Sequence, residues 1–199
     1  MSVSPTRDRR TERHEAARAE ILEAAWELAR EQGVAGLSLR DLGRRVGMRA
    51  QSLYSYFDSK HAIYDALFRE GYERLLDGRH RLETTADPRD DLRRGGRQFM
   101  EFCLEDPARY QLLFQRTIPG FEPSAESYDV AVEVLDIPRR RFRDMGVDDP
   151  VALDLWTALI TGLVDQQIAN DPAGDRWSRL FDEAVDMFFA HLDNKERAR

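Results

Sequence analysis

Two short apolar stripes separated by one glycine set the strongest limit on how this chain folds. Leu39, Leu42 and Val46 fall on one face of a helix about two turns long, which Ser38 can cap; Gly47 follows as the residue able to turn left-handed. After Gly47-Met48-Arg49, a second helix of similar length is predicted over residues 50–57, with Leu53 and Phe57 four apart on its inner face. Two such helices joined by a tight turn form a helix-turn-helix, whose second helix can enter a DNA major groove. Gly43 fits the close contact between the two helices.

The flanking sequence is helical as well. From Thr11 to Glu31, Ile21, Leu22, Ala25, Leu28 and Ala29 share one face, and Gly33 ends the run. Ser59 can cap a longer helix carrying Ile63, Ala66, Leu67 and Leu75, so the first four helices are expected to form one unit. The polar stretch around Pro88 places a boundary near Thr84. Beyond it, helices are expected through Phe99–Cys103, from Pro107 through Phe114, and from Ser124 to Met145 with Pro138 inside; two more follow, near Pro150–Asn170 and Arg176–Asp193. No alternating strand pattern, repeat or low-complexity run is visible. The chain reads as all-α, with about nine helices. A three-helix helix-turn-helix DNA-binding domain is expected over residues 15–70, its fourth helix continuing to about 83, and a C-terminal helical bundle for ligand binding and dimerisation over 84–199.

Charge must be read by region. The net charge of −7 argues against a general nucleic-acid binder, yet Ser38–Lys60 holds five basic residues against two acidic ones. A local basic footprint matters more to DNA than the overall balance. In the second short helix Arg49, Gln51, Ser52 and Ser55 lie opposite Leu53 and Phe57, with Tyr54 and Tyr56 at the flanks. Lys60 adds a cation near the start of the next helix, where backbone N–H groups favour an anion. The apolar stretch around Val151–Ala169 is interrupted by Asp154, Thr157, Asp165 and Gln166, so no membrane span is expected. The N-terminal stretch lacks the apolar core of a secretory signal and Cys103 is the only cysteine, which together point to the cytoplasm.

The order from Ile21 through "AAWELAREQG" to "LSLRDLGRRVGMRAQSLYSYFDSKHAIYDALF" resembles the N-terminal domain of the TetR family of bacterial transcriptional regulators, over about residues 15–70. The resemblance implies that Ser38 meets a phosphate and Arg40 a base edge. It places Arg49, Ala50, Gln51 and Ser52 toward the groove, and Tyr54, Tyr56 and Lys60 as backbone clamps. Gly43 stands where alanine is usual, and Met48-Arg49-Ala50-Gln51 replaces a commoner small and polar start. The implied function is that of a ligand-responsive repressor bound as a homodimer to a pseudo-palindromic double-stranded operator, and released by a small apolar or aromatic effector.

Such proteins typically pair their last two helices into a four-helix bundle and hold a pocket in the rest of the C-terminal domain. Leu159 and Leu163, with Trp156 and Ile160, form one apolar stripe; Leu180, Ala184, Met187 and Phe188 form another, and either stripe serves equally as core within one chain. Phe99, Met100, Cys103, Tyr110, Phe114 and Trp156 could line a pocket, with Gln166 and Gln167 as polar partners, although such residues at helical spacing also make ordinary core. The four histidines form no HExxH pair, and neither a glycine-rich phosphate loop nor a G-x-S-x-G elbow is present. No catalytic residue, metal or cofactor is expected. The remaining alternative is a helical interaction protein that does not bind DNA.

Overall fold

The computed structural model describes residues 5–197. Among them nine α-helices occur: α1 Pro5–Gln32, α2 Leu39–Arg45, α3 Ala50–Leu53, α4 Lys60–His80, α5 Pro88–Glu105, α6 Pro107–Phe114, α7 Ala125–Asp144, α8 Pro150–Asn170 and α9 Phe181–Arg197. The fold is all-α, with an N-terminal helix-turn-helix and a helical C-terminal region. No described helix is long and apolar enough to cross a membrane.

Local chemistry sets many of the boundaries. Gly33 follows α1 at φ 79°, in the left-handed region where a side chain would be strained. The carboxylates of Asp87 and Asp149 accept from Arg89 N at 2.9 Å and Val151 N at 3.0 Å, capping α5 and α8, and each of these helices has proline at its first position. Proline is suited to that position, because it lacks only an N–H that would have no helical partner.

The chain divides into two packed units. One contains the chain up to Gly71 together with Ala108–Tyr128; the other contains Tyr72–Pro107 and the chain from Asp129 onward. In the first unit, Ile21, Ala25 and Trp26 of α1 are buried with Leu42, Leu53, Phe57 and Leu67 in one core. Ala108 and Leu112 of α6 belong to the same core, and Ile118 and Phe121 pack against it. The boundary near Thr84 read from the sequence follows chain order, whereas packing gathers these later apolar residues to the N-terminal helices. Buried Tyr64 donates its hydroxyl to Val34 O at 2.8 Å, and burial pushes its pKa up to about 12.

The second unit packs α5 against α8 and α9. Gly96 permits the approach of α5 to α8, since a Cβ there would lie 2.7 Å from Cζ2 of Trp156. Phe142, Trp156 and Phe188 form an aromatic cluster with centroid separations of 5.4–6.3 Å. Arg93 and Arg97 of α5 pair with Asp182 of α9, Arg93 also reaches Asp186, and Arg89 pairs with Asp193. The hydrogen bonds of Arg97 and Arg93 hold the Asp182 carboxyl below its ordinary range, and Arg89 does the same for Asp193. Gln167 is buried, and its side chain fastens the loop after α8: Oε1 accepts from Trp177 N at 2.9 Å and Ser178 N at 3.0 Å, while Nε2 donates to Gly174 O at 3.0 Å and to Asp171 O.

Candidate nucleic-acid interface

The two short helices are held together by backbone as much as by side chains. Ser38 caps α2, its Oγ accepting from Asp41 N at 3.4 Å, and Gly47 turns the chain at φ 66°. Gly43 lies against the start of α3: an added Cβ would meet Met48 O at 2.7 Å and Ala50 N at 3.1 Å. The missing side chain therefore lets the turn pass directly over α2, where Met48 N donates to Gly43 O at 2.7 Å. Helix α3 is shorter than its sequence period implies. Regular α-helix ends at Leu53, and residues 54–56 form a turn in which Tyr56 N and Phe57 N both donate to Leu53 O, at 2.9 and 3.0 Å. Leu53 and Phe57 still reach the core.

Five basic residues crowd Ser38–Lys60, and the structure sorts them. Arg45 bridges α2 to α1, with Nη1 3.1 Å from Glu27 and Nη2 2.7 Å from Glu31. The hydrogen bond from Arg45 draws the Glu31 carboxyl below its ordinary range and raises Arg45 in return. Arg44 pairs with Asp41 at 2.9 Å. Arg40 and Arg49 are exposed and form no ion pair among the described residues, and neither does half-buried Lys60, whose Nζ sits 5.3 Å over the Tyr64 ring. Arg40, Arg49 and Lys60 thus remain without a carboxylate partner among the described residues.

The remaining predicted residues fall into two kinds. Gln51, Ser52 and Tyr54 are exposed, Tyr54 by 51%. Ala50 is half-buried and seats α3 on Gly43. Ser55 is exposed, but its Oγ donates to Ser52 O at 2.6 Å, so its proton is used within the turn. Tyr56 is half-buried and stacks on His14 of α1 at 4.9 Å. His14 and Arg18 were not singled out from the sequence. Arg18 donates to Tyr56 O and lies 4.2 Å over the Phe57 ring, while His14 Nε2 lies 3.3 Å from Ser55 O. Their spacing of four residues on one helix was the available signal, but what faces α1 there is known only from the fold.

The residues predicted for a ligand pocket lie in both units. Tyr110 and Phe114 belong to the first, where their rings stand 5.6 Å apart. Met100, Cys103 and Trp156 are buried in the second unit and Phe99 is half-buried there. Gln166 is exposed and accepts from Asn170 Nδ2 at 2.8 Å; its neighbour Gln167 is the buried one. Among the predicted dimer residues, Leu159, Leu163, Leu180 and Ala184 are half-buried and Met187 is 68% exposed, whereas Phe188 is buried in the core of its own chain.

A capped short helix, a left-handed glycine, and a second short helix with polar groups and free cations facing outward define a helix-turn-helix protein. Residues 21–67 match the family of bacterial regulatory proteins known as the tetR family. Over these residues the chain is similar to the DNA-binding domain of the TetR family of transcriptional regulators. It is 31% identical over 131 residues to the HTH-type transcriptional regulator Mb1846 of Mycobacterium bovis, which covers 64% of this chain and 56% of that protein. It is 30% identical over 117 residues to the HTH-type transcriptional activator FasR of Mycolicibacterium smegmatis, covering 58% of this chain and 53% of the relative. The matches therefore span about half the length of these relatives. Among solved structures, FadR of Bacillus subtilis in complex with stearoyl-CoA shares the fold, with a TM-score of 0.63 at 18% identity, over 85% of this chain and 96% of that one.

Proposed function

We propose that this chain is a ligand-responsive repressor that acts in the cytoplasm, binds a pseudo-palindromic operator as a homodimer, and is released by a small apolar or aromatic effector. The observation that carries the reading is the set of exposed Arg40, Arg49, Gln51 and Ser52 with half-buried Lys60, whose cations have no carboxylate partner among the described residues. Arg40 and Gln51 suit bidentate contacts with guanine and adenine edges, while Lys60, at the start of α4, suits a phosphate. The Ser38 hydroxyl keeps a proton to donate to a phosphate, because its oxygen serves as the acceptor in the cap. Tyr54 and Tyr56 flank this face as backbone clamps.

One helix as short as α3 reads few bases, so a two-fold dimer supplies the rest, with recognition helices about 34–36 Å apart or a multiple of that. Val151 and Leu155 are 49% and 43% exposed on α8, ahead of half-buried Leu159 and Leu163, and Met187 stands out from α9. These residues supply the apolar surface that a dimer would cover. The effector reading draws support from FadR, whose solved complex contains stearoyl-CoA. Of the residues expected to line a pocket, Phe99, Met100, Cys103 and Trp156, with Gln166, belong to the second unit and are offered for it there.

A mobility-shift titration against the chain's own upstream DNA, followed by in vitro transcription from the shifted fragment, tests the reading. Specific binding with a fall in transcription supports repression. Binding with a rise would transfer the assignment to an activator, the reading favoured by the likeness to FasR. Absence of sequence-specific binding would refute both.

A further inference from the structure

In the second unit a cavity of about 550 Å³ opens between the end of α4 and the last turns of α7. Arg79 and His80 line it from α4, and Arg140, Arg141 and Arg143 from α7, with Asp144 at the edge. Leu82 and Ile137 supply an apolar wall and Thr84 a hydroxyl. Asp91 comes in behind, buried, with Oδ2 3.0 Å from Arg141 Nη2 and Oδ1 accepting from Thr85 N at 2.7 Å. Arg141 also lies 3.1 Å from Asp144, so both of these carboxylates are engaged by one arginine. Four guanidinium groups therefore meet two carboxylates.

Arg79 is the most telling member. Its guanidinium is half-buried against α5, where Gly95 makes room for it; a Cβ at position 95 would overlap the group. Among the described residues Arg79 makes no hydrogen bond or ion pair, and neither do Arg140 and Arg143. Burial, and then the charge of Arg141, push the Arg79 pKa down to about 10, against the partial opposing pull of Asp91. A half-buried cation beside further cations is costly unless an anion joins it. The planar fork of arginine matches the oxygens of phosphate and carboxylate, and phosphate offers more acceptors for converging forks. The space is of the size that holds small metabolites, with an apolar wall for an organic part.

We infer that this cavity binds the phosphate group of a small organic phosphate, with Arg79 at its floor and Arg140 and Arg143 at its mouth. The site shares no residue with the helix-turn-helix, and the inference holds whether or not the chain represses transcription. Calorimetric titration of the full-length protein with sodium pyrophosphate, in 150 mM salt, is the direct test. Because the DNA-facing cations also attract phosphate, R140A/R143A is compared with R49A/K60A. Saturable binding, weakened about tenfold or more in R140A/R143A and unchanged in R49A/K60A, is expected. The exposed Arg140 and Arg143 can be replaced without opening the core, and circular dichroism of the variant confirms its fold. Octyl phosphate and adenosine diphosphate serve as further arms: both should lose affinity in R140A/R143A, and whichever binds more tightly identifies the organic part as lipid-like or nucleotide-like. No saturable binding overturns the inference, as does binding that survives R140A/R143A or disappears instead with R49A/K60A.

Discussion

Replacing Gly43 by alanine sets two physical effects against each other at the centre of the helix-turn-helix. Alanine in place of a helical glycine stabilises by about 1 kcal/mol, through a smaller loss of backbone freedom. Against that, its Cβ would stand 2.7 Å from Met48 O, 3.1 Å from Ala50 N and 3.3 Å from Ala50 Cα. All three are backbone atoms, so relief requires moving the turn and α3 as a body. Overpacking of this kind costs about 1–3 kcal/mol. The expected balance runs from near zero to about 2 kcal/mol of destabilisation. The effect on DNA should exceed the effect on stability, because α3 carries Gln51 and Ser52 and its displacement misplaces both. Urea denaturation gives the first quantity; titration of operator and random duplexes gives the second. Operator affinity should fall while random-duplex affinity changes little. A Gly43→Ala protein about 1 kcal/mol more stable, with unaltered operator affinity, would show that the helices do not need this approach, as in the resembling sequences that carry alanine there.

Lys60→Ala should weaken operator and random DNA alike and lower the salt slope by about 1 per subunit, whereas Gln51→Ala should cost about 1–3 kcal/mol on the operator and relax preference at one base pair per half-site; titrations over single-base variants at several salt concentrations separate the two. Gln167→Ala removes the clamp on residues 171–178 and should destabilise the protein by roughly 2–4 kcal/mol at about 1 kcal/mol per bond, as read by chemical denaturation. Because Asp182 and Asp193 titrate below their ordinary range in the folded chain, their contribution is present above a pH of about 4 and lost as pH falls below it. Acid unfolding of Asp182→Asn should therefore depend less on pH than that of the parent, and raised salt should narrow the difference.

Features set by neighbouring residues could be read from the sequence. Ser38 caps, Gly47 turns left-handed, and Leu42, Leu53 and Phe57 are buried, because short-range spacing and backbone stereochemistry decide all of these. The length of α3 escaped, since Leu53 and Phe57 keep their spacing in a tight turn as well as in a helix. That Arg45 is not free depends on where Glu27 and Glu31 of α1 arrive, a matter of tertiary packing, whereas Arg44 pairs with Asp41 within its own helix. Tertiary packing likewise governs Arg79, Arg140, Arg141 and Arg143, which lie in two separated stretches of sequence that only the fold brings around one space. Gln166 and Gln167 are adjacent and chemically identical, and only the helix phase decides which one is buried.

The first unit recruits Ala108 and Leu112 into a core otherwise built before residue 68, and further along the same segment Ser124 N donates to Asp65 at 2.6 Å. The region that matches the family ends at Leu67 and does not include them. A reader-head transplant cut at that point would therefore be incomplete. The grafted helices would bring an apolar seat fitted to this chain's Ala108 and Leu112, and the host would offer whatever it carries at those positions. Burial of a leucine of this kind contributes about 1.5–3 kcal/mol, a large share of the stability of so small a unit. Engineered hybrids of this chain should exchange residues 108–128 together with the N-terminal helices, treating two separated stretches of gene as one part.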